Sequence, residues 1–165
     1  MKLDIAIERV SPLWPALPQI EELVERAILA AARDAGVALQ EGAEVSVQLV
    51  DDRQIRALNA RWRRIDKATN VLSFPAASPG ALASSPLLGD IVVGYETVRR
   101  EADDEGLGFN DHVAHLVVHG FLHLIGFDHQ EADEAQRMER LETRILGEIG
   151  IADPYAATVP ADESA

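Results

Sequence analysis

The sequence contains no cysteine and no long apolar run, and both absences limit what the protein can be. Without cysteine, disulfides and thiolate metal ligands are excluded, so any bound metal must be held by nitrogen and oxygen atoms. No window is long, apolar and uncharged enough to cross a membrane. The N-terminal segment MKLDIAIERV alternates apolar and polar residues, unlike a signal peptide. We therefore expect a cytoplasmic protein.

Basic residues are scarce over most of the chain. The sequence has 15 Lys and Arg against 28 Asp and Glu, a formal net charge of −13, which argues against nonspecific binding of nucleic acids. Residues 53–67 are the exception, because five Arg, one Lys and one Asp give this run a net charge of +5 and leave −18 for the rest. Such a run is typical either of a solvated helix face or of a surface that binds an anionic partner.

The chain alternates between strand and helix patterns. Short apolar or alternating segments predict four strands, over residues 3–7, 45–49, 71–74 and 88–93. Apolar residues at helical spacing predict about five helices: one that begins near Gln19, one through the basic run, one that ends near Glu105, one over residues 113–125, and one from Ala132 to Glu148.

Two details of these helices can also be predicted. In the basic run, Ile55, Leu58 and Trp62 fall on one side of the helix, and we expect that side to face the core. Asn110 or Asp111 is expected to cap the histidine-bearing helix. Together the elements predict a single α+β domain over residues 1–155, in which a mixed, roughly four-stranded sheet packs with about five helices. The polar residues 156–165 are expected to form a disordered tail.

All five histidines fall between residues 112 and 129. His119 and His123 are four residues apart, so on a helix both rings emerge from one face. Gly126 allows the helix to end in a left-handed turn, so that His129 can bring a third imidazole to the first two. Three imidazoles with an open fourth position are a usual way of holding catalytic zinc. The spacing therefore predicts one Zn²⁺, or a similar divalent transition metal, on His119, His123 and His129.

The other polar residues of this segment have supporting or local roles in our interpretation. His112 and His115 lie near the helix face that carries His119 and His123. We expect them to have a structural role or to support the metal ligands without contacting the metal. Asp128 either orients a ligand imidazole or caps the following turn.

The pattern H-x-x-x-H-x-x-G-x-x-H has the spacing of metzincin proteases and predicts a zincin-like helix. Gly120 stands where those proteases carry their general-base glutamate, and loss of such a base usually costs about 10²–10⁴ in rate. A metal ion can activate water or polarise a phosphoryl oxygen without that glutamate. The pattern therefore favours hydrolysis of a bond other than the peptide bond.

Four blocks of the sequence, in order over about residues 45–155, match a known pattern. They are L-N-x-x-W-R through T-N-V-L-S-F-P (58–75), L-G-D-I (88–91), H-G-F-L-H-L-I-G-F-D-H (119–129) and the closing helix and tail (138–155). In these blocks the chain resembles the YbeY family of metal-dependent endoribonucleases, also called rRNA maturation factors. Phe127, Ala68 and Gly94 depart from the family pattern, and none of them is a proposed metal ligand.

The resemblance implies that His119, His123 and His129 bind a zinc-like ion and that Arg63 serves RNA cleavage. Arg63 lies within the basic run, and an arginine near a metal can hold a phosphate with two hydrogen bonds and stabilise charge at phosphorus. The alternative for Arg63 is a solvated surface residue.

The function we expect is that of a metal-dependent, single-strand-specific endoribonuclease in rRNA maturation and ribosome biogenesis. The resemblance implies a substrate at the 3′ end of the small-subunit rRNA and partners among ribosomal proteins or other assembly factors. Because the chain is strongly acidic, we expect RNA binding to need such a partner. Two other functions remain open: a zincin-like metallopeptidase, if another carboxylate replaces the missing base, and a non-catalytic, metal-stabilised ribosome assembly factor.

Overall fold

The computed structural model of the chain describes residues 2–16, 19–128 and 130–155. Its elements in chain order are β1 (Asp4–Arg9), α1 (Gln19–Asp34), β2 (Glu44–Val50), α2 (Asp52–Arg63), β3 (Val71–Pro75), a 3₁₀ helix (Pro79–Ser84), β4 (Leu87–Gly94), α3 (Tyr95–Glu105), α4 (Phe109–Leu124) and α5 (Ala132–Glu148). The predicted α+β fold with a four-stranded sheet and five α-helices is confirmed. The predicted tail at 156–165 lies outside the described residues.

The sheet is mixed, and its strands are ordered β1, β2, β4, β3. Strands β1, β2 and β4 run parallel, whereas β3 pairs antiparallel with β4, with Ser73 opposite Ile91. Within the part of the chain that the structure describes, β3 pairs along one edge only, with β4, so its other edge is open to groups outside the sheet. This edge forms one wall of the cleft described below.

Helices cover both faces of the sheet. The larger core lies on the side of α1, α4 and α5, and α4 is buried on nearly all sides, as its continuous apolar sequence predicts. A smaller cluster on the α2 side consists of Val50, Ile55, Leu72 and Val92. The histidine-bearing helix α4 therefore lies in the middle of the fold, in contact with β3, β4, α1, α3 and α5.

Helix α2 begins with a capping box, in which the Asp51 carboxylate accepts from the backbone N–H of Gln54 and the Gln54 side chain accepts from that of Asp51. As predicted, Ile55 is buried and Leu58 faces the core, packed partly buried against the smaller cluster. The predicted burial of Trp62 is wrong, because its side chain is 60% exposed. Trp62 does not pack against the smaller cluster, and its neighbour Arg63 makes the contact with Phe74 at the edge of that cluster.

The predicted cap of α4 is also wrong. The helix begins at Phe109, and its N-cap is Gly108, two residues before Asn110 and three before Asp111, without a side-chain hydrogen bond. Phe109 packs against the rings of Trp14 and Tyr95, with centroids 5.6 and 5.4 Å away, so tertiary packing sets the helix start. Within residues 2–16, 19–128 and 130–155, no helix is long and apolar enough to cross a bilayer.

Candidate active site

A cleft of about 850 Å³ opens between α4, the edge strand β3 and the C-terminal end of α2. Three of the four predicted site residues line it: Arg63 from α2, and His119 and His123 from α4. The other polar residues in its walls are Asn70, Ser73, His115, Asp128, Gln130 and Tyr155. His129, the third predicted metal ligand, lies outside the described residues.

His119 and His123 face each other in the cleft as the spacing predicts. Their Nε2 atoms are 3.1 Å apart. Two nitrogens bound to one tetrahedral zinc at about 2.0–2.1 Å each would lie about 3.3 Å apart, so this pair fits two corners of such a site. Among the described residues, no three His, Asp or Glu side chains form a group that could hold a metal. The three-histidine site therefore stays a prediction.

A buried carboxylate of α5 contacts the Nδ1 side of the His119 ring. Glu142 is fully buried, and its Oε2 lies 2.6 Å from Nδ1 of His119. Its Oε1 lies 3.0 Å from Nε2 of His115 and accepts from the Tyr155 hydroxyl. When Nδ1 of His119 donates to this carboxylate, the ring's lone pair is on Nε2, the atom that faces His123.

The same contacts set the charge of this network. Burial raises the pKa of Glu142, but hydrogen bonds from His115, His119 and Tyr155 outweigh it and lower that pKa to about 2. Burial and the Glu142 carboxylate together raise the pKa of the Tyr155 hydroxyl, which therefore stays a neutral donor. A fixed negative charge thus lies on the Nδ1 side of the His119 imidazole, where it accepts the Nδ1 proton and orients the ring.

Sequence reasoning did not assign a role to Glu142, although one signal was available. Glu142 occupies the buried stripe of α5 between Met138 and Ile145, where an unpaired carboxylate would be costly. An acidic residue at a core position of an amphipathic helix indicates a buried partner, but not which one.

Arg63 is held at the rim of the cleft by two contacts with β3. One guanidinium nitrogen donates to the carbonyl oxygen of Ser73 at 2.5 Å, and Cζ lies 5.4 Å from the ring centroid of Phe74. The hydrogen bond uses one of the five N–H donors of the guanidinium. Arg63 and the histidine pair thus line the same cleft from two different helices.

Gly120 lies at a close approach between α4 and the sheet. A Cβ atom at this position would be 3.0 Å from Cγ2 of Ile91 and 3.0 Å from Oγ of Ser73. The Ser73 hydroxyl donates to the carbonyl oxygen of Gly120 at 3.0 Å. The position of the protease general base is therefore packed against the sheet, with no space for a glutamate side chain.

The two remaining histidines of α4 contact acidic residues on the neighbouring helices α3 and α5. Nε2 of His112 lies 2.9 Å from Oε1 of Glu101, which also accepts from the side-chain amide of Asn70 at 3.0 Å. His112 thereby ties α4 to α3 and to the start of β3, while His115 reaches His119 through Glu142. Asp128 is the single acidic residue among the described residues that line the cleft.

A family model and curated relatives match most of the chain. A family model described as endoribonuclease YbeY matches residues 14–150. An endoribonuclease YbeY of Rhodopseudomonas palustris (strain BisA53) is 52% identical over 93% of this chain and 91% of its own length. An endoribonuclease YbeY of Rhizobium meliloti (strain 1021) is 50% identical over 96% of this chain and 98% of its own length.

A solved structure shares the fold. The solution structure of TM1509 from Thermotoga maritima superposes with a TM-score of 0.57 at 24% identity, over 88% of this chain and 91% of that chain. At this identity the likeness concerns the fold alone. The family model and the relatives at about 50% identity extend over most of the sequence. The chain therefore belongs to the endoribonuclease YbeY family.

Proposed function

We propose that the protein is a metal-dependent endoribonuclease that cleaves single-stranded RNA in this cleft. The observation that carries the proposal is the His119–His123 pair, with Nε2 atoms 3.1 Å apart, in a cleft that Arg63 also lines. Family membership supports RNA as the substrate. His119, His123 and His129 would hold one Zn²⁺ or a similar ion, which would polarise a phosphoryl oxygen or lower the pKa of bound water.

The chain's own residues bind and orient the substrate in this mechanism. Arg63 donates to a non-bridging phosphate oxygen and stabilises the negative charge that develops at phosphorus. Glu142 keeps a proton on Nδ1 of His119 and so holds the ring in one tautomer and one orientation. Ser73 and Phe74 fix the Arg63 guanidinium before the substrate arrives, which lowers the entropic cost of binding.

The biological substrate that we propose is ribosomal RNA, with cleavage near the 3′ end of the small-subunit RNA. Ribosomal proteins or other assembly factors would bring this acidic protein to its target, and the reaction would occur in the cytoplasm. The cleft itself is less acidic than the rest of the molecule, since Asp128 is its one acidic lining residue among those described. A phosphate can therefore approach the histidines beside Arg63.

Cleavage of a single-stranded oligoribonucleotide at low salt tests the proposal. We expect His119→Ala to lose cleavage. Arg63→Glu should lower the cleavage rate by at least about 10²-fold, because removal of one group that stabilises charge in the transition state usually costs that much. Arg26→Glu is the matched control, because Arg26 lies on α1 and does not line the cleft. Chelation should stop the reaction, and added Zn²⁺ should restore it.

The products and the failures of this assay are also informative. Ends that carry a 2′,3′-cyclic phosphate identify the RNA 2′-hydroxyl as the attacking group, whereas a 5′-phosphate opposite a free 3′-hydroxyl identifies water. Equal cleavage by wild type, Arg63→Glu and His119→Ala would refute the proposed site. Chelator-sensitive hydrolysis of casein without RNA cleavage would identify a metallopeptidase. Folding and ribosome binding that survive chelation, with no RNA cleavage, would identify an assembly factor.

A further inference from the structure

Trp62 is the most exposed large hydrophobic side chain among the described residues, at 60%. The other tryptophan, Trp14, is 1% exposed, and its Nε1 donates to the carbonyl oxygen of Val50 at 2.8 Å. Trp62 does not belong to the cluster that α2 forms with the sheet. An indole that the core does not use is a candidate for contact with another molecule.

The surroundings of Trp62 are cationic, and one of its neighbours in sequence belongs to the cleft. Cζ of Arg61 lies 4.9 Å from the Trp62 ring centroid. The next residue, Arg63, lines the cleft and binds the carbonyl oxygen of Ser73. Trp62 is therefore flanked in sequence by two arginines, one of which reaches the proposed site of cleavage.

The end of α2 adds a third arginine at a position that favours glycine. Arg64 has φ 60° and ψ 32°, and it is the only non-glycine residue with a positive φ in the described part of the chain. Glycine adopts this conformation without steric cost, whereas other residues do not. Arg64 therefore places a positive charge next to Trp62 in sequence, although this backbone conformation is less favourable for arginine than for glycine.

The local charge also indicates the class of partner. Residues 53–67 carry a net charge of +5 in a chain of −13. Arg56 is paired with Asp66 at 2.8 Å, while the side chains of Arg61 and Arg64 are exposed. A flat aromatic ring among exposed guanidinium groups complements a polyanion that also has flat rings, and unpaired bases have both properties.

We propose that Trp62, with Arg61 and Arg64, forms a subsite that stacks one base of single-stranded RNA where the strand leaves the cleft. The subsite rests on the proposed endoribonuclease function for its substrate. Stacking needs the face of an unpaired base and not its edges, so the subsite accepts any base and rejects a duplex. Arg61 and Arg64 hold the phosphates on either side of the stacked base.

Fluorescence anisotropy with a short labelled oligoadenylate tests the subsite. Trp62→Ala and Trp62→Leu should bind about tenfold more weakly, the scale of one stacked base, while Trp62→Phe keeps most of the affinity. Leu29→Ala is the control, because Leu29 is also an exposed apolar residue (41%) but lies on α1. Trp62 is exposed, so thermal unfolding of the variants should match wild type.

Two further measurements separate stacking from charge. Trp62→Ala should bind inorganic polyphosphate, a polyanion without bases, as tightly as wild type. It should also keep the salt dependence of RNA binding, whereas Arg61→Gln should lower the slope of log K against log salt by about 0.7, the value for one phosphate contact on a single strand.

The proposal is overturned if Trp62→Ala binds oligoadenylate as wild type does, or if it loses polyphosphate binding equally. It is also overturned if Trp62→Leu matches Trp62→Phe, since an apolar protein partner would then fit as well. Cleavage assays on the same proteins distinguish the two proposals. RNA that is bound through Trp62 but never cleaved refutes the endoribonuclease alone, whereas cleavage with no effect of Trp62 on RNA binding refutes the subsite alone.

Discussion

At the scale of single residues, one buried carboxylate determines how the candidate metal ligand is presented. Glu142 contacts His119 at 2.6 Å and His115 at 3.0 Å. It lies on a different helix, α5, 23 residues after His119 in sequence. Carboxylates of this kind fix the tautomer and orientation of a ligand imidazole and raise its basicity. Metal affinity should therefore depend on a residue that does not itself contact the metal.

We expect Glu142→Gln to weaken binding of Zn²⁺ by about 10- to 100-fold, the usual effect of removing such a support. Glutamine keeps the size of the side chain but removes the negative charge behind the ring. Competition with a coloured chelator measures the affinity. Glu139→Gln is the control, because Glu139 is exposed on the same helix. Equal zinc affinity in the two variants would contradict this role of Glu142.

Asp34, at the end of α1, illustrates the opposite effect of burial on a carboxyl group. Burial and a hydrogen bond with Glu148 raise its pKa, against the weaker opposing effect of Arg33 and Arg144. One carboxylate oxygen, Oδ2, is buried without a hydrogen bond among the described residues. Because the pKa of Asp34 is higher in the folded than in the unfolded state, ionisation of this carboxyl lowers the free energy of unfolding. The loss is absent at a pH below the unfolded-state pKa and complete at a pH above the folded-state pKa.

We therefore expect Asp34→Asn to stabilise the protein at neutral pH by on the order of 1 kcal/mol, since the amide can donate to Glu148 as the protonated acid does. The gain should disappear as the pH falls below about 3.5, where the carboxyl is protonated in both states. Urea unfolding at the two pH values measures it. Asp104→Asn, at an exposed position of α3, should show no such gain. A loss of stability at neutral pH would show that the pairs with Arg33 and Arg144 matter more.

At the scale of elements, the sequence pattern predicts which segments are helices and strands better than it predicts their contacts. The apolar run of α4 and the alternation in β2 correspond to the helix and strand of the structure. The start of α4 is not predicted, because Phe109 packs against rings from other parts of the chain. The exposure of Trp62 is not predicted either, because its neighbour Arg63 makes the contact with Phe74 and the indole packs against neither cluster. The bond between Glu142 and His119 depends in the same way on how α5 crosses α4.

The glycines of two helices provide a matched test of the packing between α4 and the sheet. Gly120→Ala would gain up to about 1 kcal/mol in helix propensity, but its Cβ would lie 3.0 Å from Ile91 and Ser73 atoms, a degree of overpacking that costs about 1–3 kcal/mol. Gly147→Ala, in α5, has no atom within 4 Å of its Cβ. We expect Gly120→Ala to destabilise the protein and Gly147→Ala to stabilise it in urea unfolding. Stabilisation by both would show that the contact between α4 and β3 is loose.

At the scale of the whole molecule, the distribution of charge sets how RNA reaches the cleft. The chain has a net charge of −13, yet residues 53–67 carry +5, and the cleft that Arg63 lines has one acidic residue among those described. Long-range repulsion between RNA and the rest of the surface therefore opposes local attraction at α2. The two effects differ in range, so salt separates them: the Debye length falls from about 10 Å at 0.1 M to about 3 Å at 1 M.

Removing distant negative charge should thus raise RNA affinity only at low salt. The double substitution Asp104→Asn and Glu105→Gln changes the net charge from −13 to −11 at two exposed residues that do not line the cleft. We expect up to a few-fold tighter oligoadenylate binding at low ionic strength and no difference near 1 M, where such charges are screened. Gln136→Glu, which adds a charge on α5, should have the opposite effect over the same range of salt. An affinity gain that persists at high salt would mean that Asp104 or Glu105 contacts the RNA directly, and that the path of the strand runs over α3 instead of past Trp62.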